Sequence, residues 1–235
     1  MIFDHIRNRI CAILGGLGIL VTGCTKTKYV WSTEEEYFKV PIWKEHVKKF
    51  KKIKAQPHTV KLFIGDSITE GFDLNRHLNM DSLVNMGISG DVTSGILKRL
   101  YLVEKLQPKK IFIMIGINDI RLKIPMERIQ SQYAQIIQSL KLSCPDAEIY
   151  VQSVLPARGI DGTDMTNEVV AKSVRELNHF LEKQCVELNV HFLYLYPLFE
   201  EPKDFLRQEY TYDGIHLSDE GYRFWSEQIL HLLTD

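Results

Sequence analysis

From Thr59 onward the chain alternates between short apolar runs and longer amphipathic ones. Val60-Lys61-Leu62-Phe63-Ile64 stops at Gly65, Leu83-Val84-Asn85 at Gly87, and the almost wholly apolar Ile111–Ile115 at Gly116. Glu148–Val154 and Val190–Tyr194 follow in the same style. Between them apolar residues recur at helical spacing over Thr93–Val103, Met126–Leu142, Asn167–Leu188 and Asp219–Leu233. Apolar runs of four to eight residues alternating with helical patterns predict a parallel sheet of about five strands, covered by helices on both faces. In such sheets, sites form beyond the carboxyl ends of the strands. Ser67, the stretch Gly87–Gly90 and Asn118 follow the first, second and third predicted strands, so all three fall on one rim.

The residues before Thr59 have a different organisation. Arg7 and Arg9 precede an apolar run from Ile10 to Val21, too short to span a bilayer and suited to the core of a signal peptide. The run ends in Val21-Thr22-Gly23-Cys24, which resembles a bacterial lipoprotein signal, in which small residues precede a cysteine that is lipidated. The expected organisation is a signal peptide over 1–23, a tether over 24–31 after lipidated Cys24, an N-terminal helical segment over 32–56, and one domain over 57–235. The chain is then expected to be an exported bacterial lipoprotein of the cell envelope, on the periplasmic face or at the outer membrane, meeting the membrane through its anchor. In the helical segment, Ser32-Thr33-Glu34-Glu35 fits a capping box, and Pro41 breaks one helix and starts another. In that second helix Trp43, Val47 and Phe50 recur on one face, with lysines at 44, 48, 49, 51, 52 and 54 between them. Those lysines read as a solvated face, with anionic headgroups as the alternative.

Charge adds little. Twenty-nine basic and 30 acidic residues nearly cancel, which gives no reason to expect nucleic acid as a partner. Of four cysteines, Cys11 and Cys24 belong to the leader. Cys144 and Cys185 read as buried thiols, although export permits a disulfide, and their spacing does not suit zinc.

The chemistry lies in short blocks. Gly65-Asp66-Ser67 supplies a serine, Gly116-Ile117-Asn118-Asp119 an amide, and Asp213-Gly214-Ile215-His216 a carboxylate three residues before an imidazole. A serine needs a base to accept its proton, and a carboxylate can fix the tautomer of that base. Read singly, Ser67 is also a helix cap, Asn118 a turn residue and His216 a packing residue. Asn85–Asp91 is a glycine-bearing turn without a phosphate-binding signature; its Gly90 can expose a backbone N–H to an oxyanion. Gly-x-Ser-x-Gly is absent, and the order Ser…Asp…His excludes the chymotrypsin and subtilisin arrangements.

These four blocks, in order over residues 60–218, resemble those of the SGNH (GDSL) hydrolase family. The resemblance implies a three-layer α/β/α flavodoxin-like fold and a serine esterase that needs no cofactor or metal. It assigns Ser67 as nucleophile, His216 as base and Asp213 as the third triad member, with an oxyanion hole of the Ser67 and Gly90 N–H groups and the Asn118 side chain. Gly87–Asp91 and Val154–Arg158 look most like the branch of platelet-activating-factor acetylhydrolases and carbohydrate acetylesterases. The expected substrate is an acylated small molecule or glycan, deacetylated at a sugar hydroxyl. The alternatives are a lysophospholipase or short-chain lipase, and a non-catalytic glycan-binding lipoprotein on the same fold. Arg121 and Arg158 are expected on loops at the active rim, as solvated charges rather than anion ligands.

Overall fold

The computed structural model describes residues 41–54, 56–160, 162–201 and 205–234. The leader, Cys24, the tether and the Ser32 capping box lie outside the described residues. Among the described residues no helix is long and apolar enough to cross a membrane.

Helix α1 (Pro41–Phe50) begins at the proline and buries Val47 and Phe50, with Trp43 against the core. Its lysines at 44, 48 and 49 are exposed, as expected of a solvated face. The alternation then follows: β1 (Lys61–Gly65), α2 (Ser67–Glu70), α3 (Leu74–Leu78), β2 (Leu83–Gly87), α4 (Thr93–Leu106), β3 (Lys110–Met114), α5 (Ile117–Arg121), α6 (Met126–Ser143), β4 (Glu148–Gln152), α7 (Asn167–Glu187), β5 (His191–Leu193), α8 (Tyr196–Phe199), the two-residue strands β6 (Glu200–Glu201) and β7 (Phe205–Leu206), and α9 (Asp219–Leu233). The five main strands are parallel in the order β2-β1-β3-β4-β5. This is the doubly wound arrangement, with its crevice between β1 and β3, where the connections diverge to opposite sides.

Aromatic residues tie the strands together on one face. Phe63, Phe112, Tyr150 and His191 are register partners on β1, β3, β4 and β5. Their rings stack with centroids 4.8, 4.8 and 4.7 Å apart. Such cross-strand pairs contribute roughly 0.5–1.5 kcal/mol each beyond their burial. Lys110 opens β3 as a buried cation. Its ammonium donates to the carbonyl of Leu232 at 2.7 Å, neutralising the carboxyl end of α9.

One difference from the expected pattern has a physical cause. β4 stops at Gln152, two residues short, because side chains take over from the ladder. Asn178 of α7 accepts from Val154 N at 2.8 Å and donates to Val154 O at 2.9 Å, and Ser153 Oγ accepts from Tyr196 N. β2 ends at Gly87 as expected, where the chain must be bare. A Cβ there would lie 2.1 Å from the backbone nitrogen of Glu70, since α2 lies directly over the strand end. Cys144 and Cys185 are both buried free thiols, and burial pushes Cys185 up to about 12.

Candidate active site

β1 delivers Ser67 to the rim. Asp66, buried, caps α2 by accepting from Ile68 N at 2.9 Å, which turns the chain sharply and leaves Ser67 at the first helical position, half-buried. Burial pushes the Asp66 carboxyl up to about 7, against the opposing pull of the Ile68 N–H and of His216.

The far side of the crevice is a short self-closed loop. Thr211 and Leu217 form an isolated antiparallel bridge. Inside it, Thr211 Oγ1 donates to His216 O at 2.7 Å and accepts from Gly214 N at 2.9 Å, with Gly214 at φ +82°. The two oxygens of Asp213 divide their work. Oδ1 accepts from the backbone N–H groups of Ile215 and His216 at 3.0 and 2.8 Å, and Oδ2 accepts from His216 Nδ1 at 2.8 Å. Burial works against the Asp213 charge, but these bonds outweigh it and hold its carboxyl down to about 2. The Asp-x-x-His spacing therefore has a local reason: three residues let one carboxylate cap the turn and hold the ring. An ionised carboxylate only accepts, so Nδ1 carries the proton and Nε2 is left as the acceptor. Ser67 Oγ lies 2.9 Å from that Nε2.

Two further blocks follow β2 and β3, the strands on either side of β1. Asn118 sits early in α5 and donates through Nδ2 to Asp91 O at 2.9 Å, leaving its second amide hydrogen for another acceptor. Gly90 stands beside it at φ +79°, a conformation that suits glycine. Ser67, Gly90, Asn118, Asp213 and His216 are thus brought to one rim. Arg121 is not on a loop as expected. It ends α5, and its guanidinium donates to Arg158 O at 2.7 Å. Arg158 N in turn donates to Gly214 O at 2.8 Å, so the arginine backbone braces the histidine loop.

Several residues that support this site are silent in short motifs. Arg99 of α4, fully buried, pairs with Asp91 and donates to Met86 O at 2.7 Å and Gly65 O at 3.0 Å, tying the ends of β1 and β2 to the glycine turn. Its signal was its position between Ile96 and Leu102 on the apolar stripe of a helix. Asp119 accepts from Thr93 N at 3.0 Å, holding the start of α4 against α5. Asn85 braces α2 through the carbonyls of Thr69 and Phe72. Among the described residues no group of three or more His, Cys, Asp or Glu is arranged to hold a metal ion.

A doubly wound parallel sheet flanked by helices, with this set of groups on its rim, is the architecture of the SGNH hydrolases. The profile of the GDSL-like Lipase/Acylhydrolase family matches residues 63–224, and the chain belongs to that family of ester-hydrolysing enzymes. No curated protein matches it. Among solved structures it is similar to a Streptococcus pneumonia protein whose name refers to platelet activating factor, at 26% identity and TM-score 0.72, over 85% of this chain and 96% of that one. A GDSL-like lipase from Bacteroides thetaiotaomicron shares the fold at 23% identity and TM-score 0.71, covering 81% and 96% of the two chains. So does an acetylxylan esterase from Geobacillus stearothermophilus, at 19% identity and TM-score 0.59, covering 77% and 96%.

Proposed function

We propose that this chain is a serine esterase that removes acetyl groups from the hydroxyls of a carbohydrate through an acyl-enzyme. The observation that carries this reading is the continuous hydrogen-bonded chain from Asp213 through His216 to Ser67. His216 Nε2 takes the Ser67 proton as Oγ attacks the ester carbonyl. The N–H groups of Ser67 and Gly90 and the Asn118 amide receive the oxyanion. His216 then gives its proton to the departing alkoxide, and water repeats the steps to release the acid.

Two observations support a short acyl group and a sugar. Where the chain leaves β4 towards this rim it is packed down: Val154, Leu155 and Ala157 are buried. Beside the base, Tyr212 is 70% exposed, its ring 5.8 Å from that of His216 and tilted by only 12°. It offers a flat aromatic face on which a pyranose ring can lie. The name of the Geobacillus neighbour, an acetylxylan esterase, fits the same substrate class.

The test is hydrolysis of p-nitrophenyl esters from acetate to palmitate, and of acetylated xylan oligosaccharides, by the full-length chain. We expect kcat/KM to fall as the acyl chain lengthens, and Asn118→Ala to lower kcat by about 10²–10³-fold. A rise with chain length would move the assignment to a lysophospholipase, and absence of turnover would leave a binding protein. Phase partitioning of the same activity into detergent would support an anchor at Cys24; recovery in water alone would count against it.

A further inference from the structure

Helix α1 lies outside the segment matched by the family profile, yet one of its side chains reaches the rim. His46 Nε2 lies 2.7 Å from Glu70 Oε1, and the other oxygen of Glu70 accepts from Ser89 N at 2.6 Å and from Ser89 Oγ. Ser89 immediately precedes Gly90. On its other side the same turn is held by Asp91, through Arg99. The turn that presents the Gly90 N–H is therefore held at both flanks by carboxylates. One is neutralised from inside the domain and the other from the N-terminal helix.

The bonding of His46 defines its protonation. Nδ1 lies 2.8 Å from Ile42 O, and Nε2 faces the Glu70 carboxylate. Both partners are acceptors, so both ring nitrogens must donate, which only the imidazolium does.

We propose that His46 and Glu70 are positioning residues of the esterase, with the imidazolium of His46 holding Glu70 on Ser89 so that the Gly90 N–H keeps its aim at the oxyanion. This rests on the reading of Ser67 and Gly90 given above. The charges around the ring agree with it. The hydrogen bond that His46 donates to Glu70 leads the influences that raise His46 above its ordinary 6.5, against burial and the charge of Lys49 one turn along α1. Burial pushes Glu70 upward, but its bonds from His46 and Ser89 outweigh that and lower it. On the remaining side the ring meets Phe50, 6.0 Å away edge-on, and beyond Phe50 stands Arg99 with Asp91. As pH rises past the raised value, His46 keeps one ring proton for two acceptors, so Ile42 O competes with Glu70 for it and Glu70 is held less firmly.

The experiment measures kcat and KM for p-nitrophenyl acetate from roughly pH 6 to 10. It uses the full-length chain and its His46→Ala, His46→Gln and Ser67→Ala variants, each verified as folded by thermal melting. A glutamine can donate to Glu70 but does not titrate. At neutral pH, His46→Ala should lower kcat about tenfold with KM nearly unchanged, as a slightly misplaced donor does. His46→Gln should restore most of that loss. Wild-type kcat should decline on the alkaline side where the His46→Gln variant does not. Wild-type kcat in His46→Ala, failure of glutamine to rescue, or identical alkaline limbs in wild type and His46→Gln would each overturn the proposal. Should alanine prevent folding, the comparison of alkaline limbs decides. Full turnover by Ser67→Ala would refute the reading of the site itself. An inactive Ser67→Ala beside histidine variants that behave as wild type would refute only this inference.

Discussion

Ser67→Ala is expected to lower ester turnover by a factor on the order of 10⁶, because removing the nucleophile of a triad costs about as much as removing the whole triad. The fold should not notice. The hydroxyl bonds His216 alone among the described contacts, whereas the turn that carries it is held by Asp66 and by the backbone of α2. Burst kinetics with p-nitrophenyl acetate would reveal the acyl-enzyme in the wild type and its loss in the variant. A thermal melt within a degree or so of wild type would confirm that the change is chemical. Undiminished turnover in a folded Ser67→Ala chain would remove the basis for the proposed mechanism.

The largest effect on stability is expected from Arg99→Met. Arg99 and Asp91 are both fully buried. Methionine matches the length of the arginine stem but leaves Asp91 without its cation and removes the donors that Arg99 gives to the carbonyls of Gly65 and Met86. Breaking a buried pair from one side costs about 3–5 kcal/mol, which urea unfolding would read as a large fall in midpoint. Adding Asp91→Asn should recover part of the loss, since it removes the stranded charge. The pH dependence has a defined sign. Burial raises the Asp91 carboxyl above its ordinary 3.8 even with Arg99 opposing it. The folded state therefore holds that proton more tightly than the unfolded one, and stability declines as pH rises from 3.8 through the raised value. Without Arg99 that decline should steepen, so the deficit of the variant should shrink in acid. An equal deficit at all pH values would mean that Asp91 is not the source.

The parts of the molecule that were legible in the sequence are those whose physics is local or periodic. β3 is apolar at almost every position because it is buried on both faces, and α6, α7 and α9 show their stripes plainly. The blocks around Ser67, Gly90 and Asn118 could be ordered on one rim because each follows a strand. What escaped was set by contacts distant in sequence. The short helices α2 and α3 exist because Asp66 and Asp73 cap them and β2 lies beneath, and neither is long enough to show a period. The partnership of His46 with Glu70 spans 24 residues, and that of Arg99 with Gly65 spans 34. An arginine on an apolar stripe was the one visible sign, and it says that a partner exists without saying which.

The ladder of rings across the sheet ends on β5, a strand of only three residues that opens with His191. An open sheet edge is a template for a second chain, and its hazard grows with the number of unpaired backbone groups in line. Three residues offer too few to seed such a pairing. Copies lying side by side therefore have little backbone to pair through at the β5 edge.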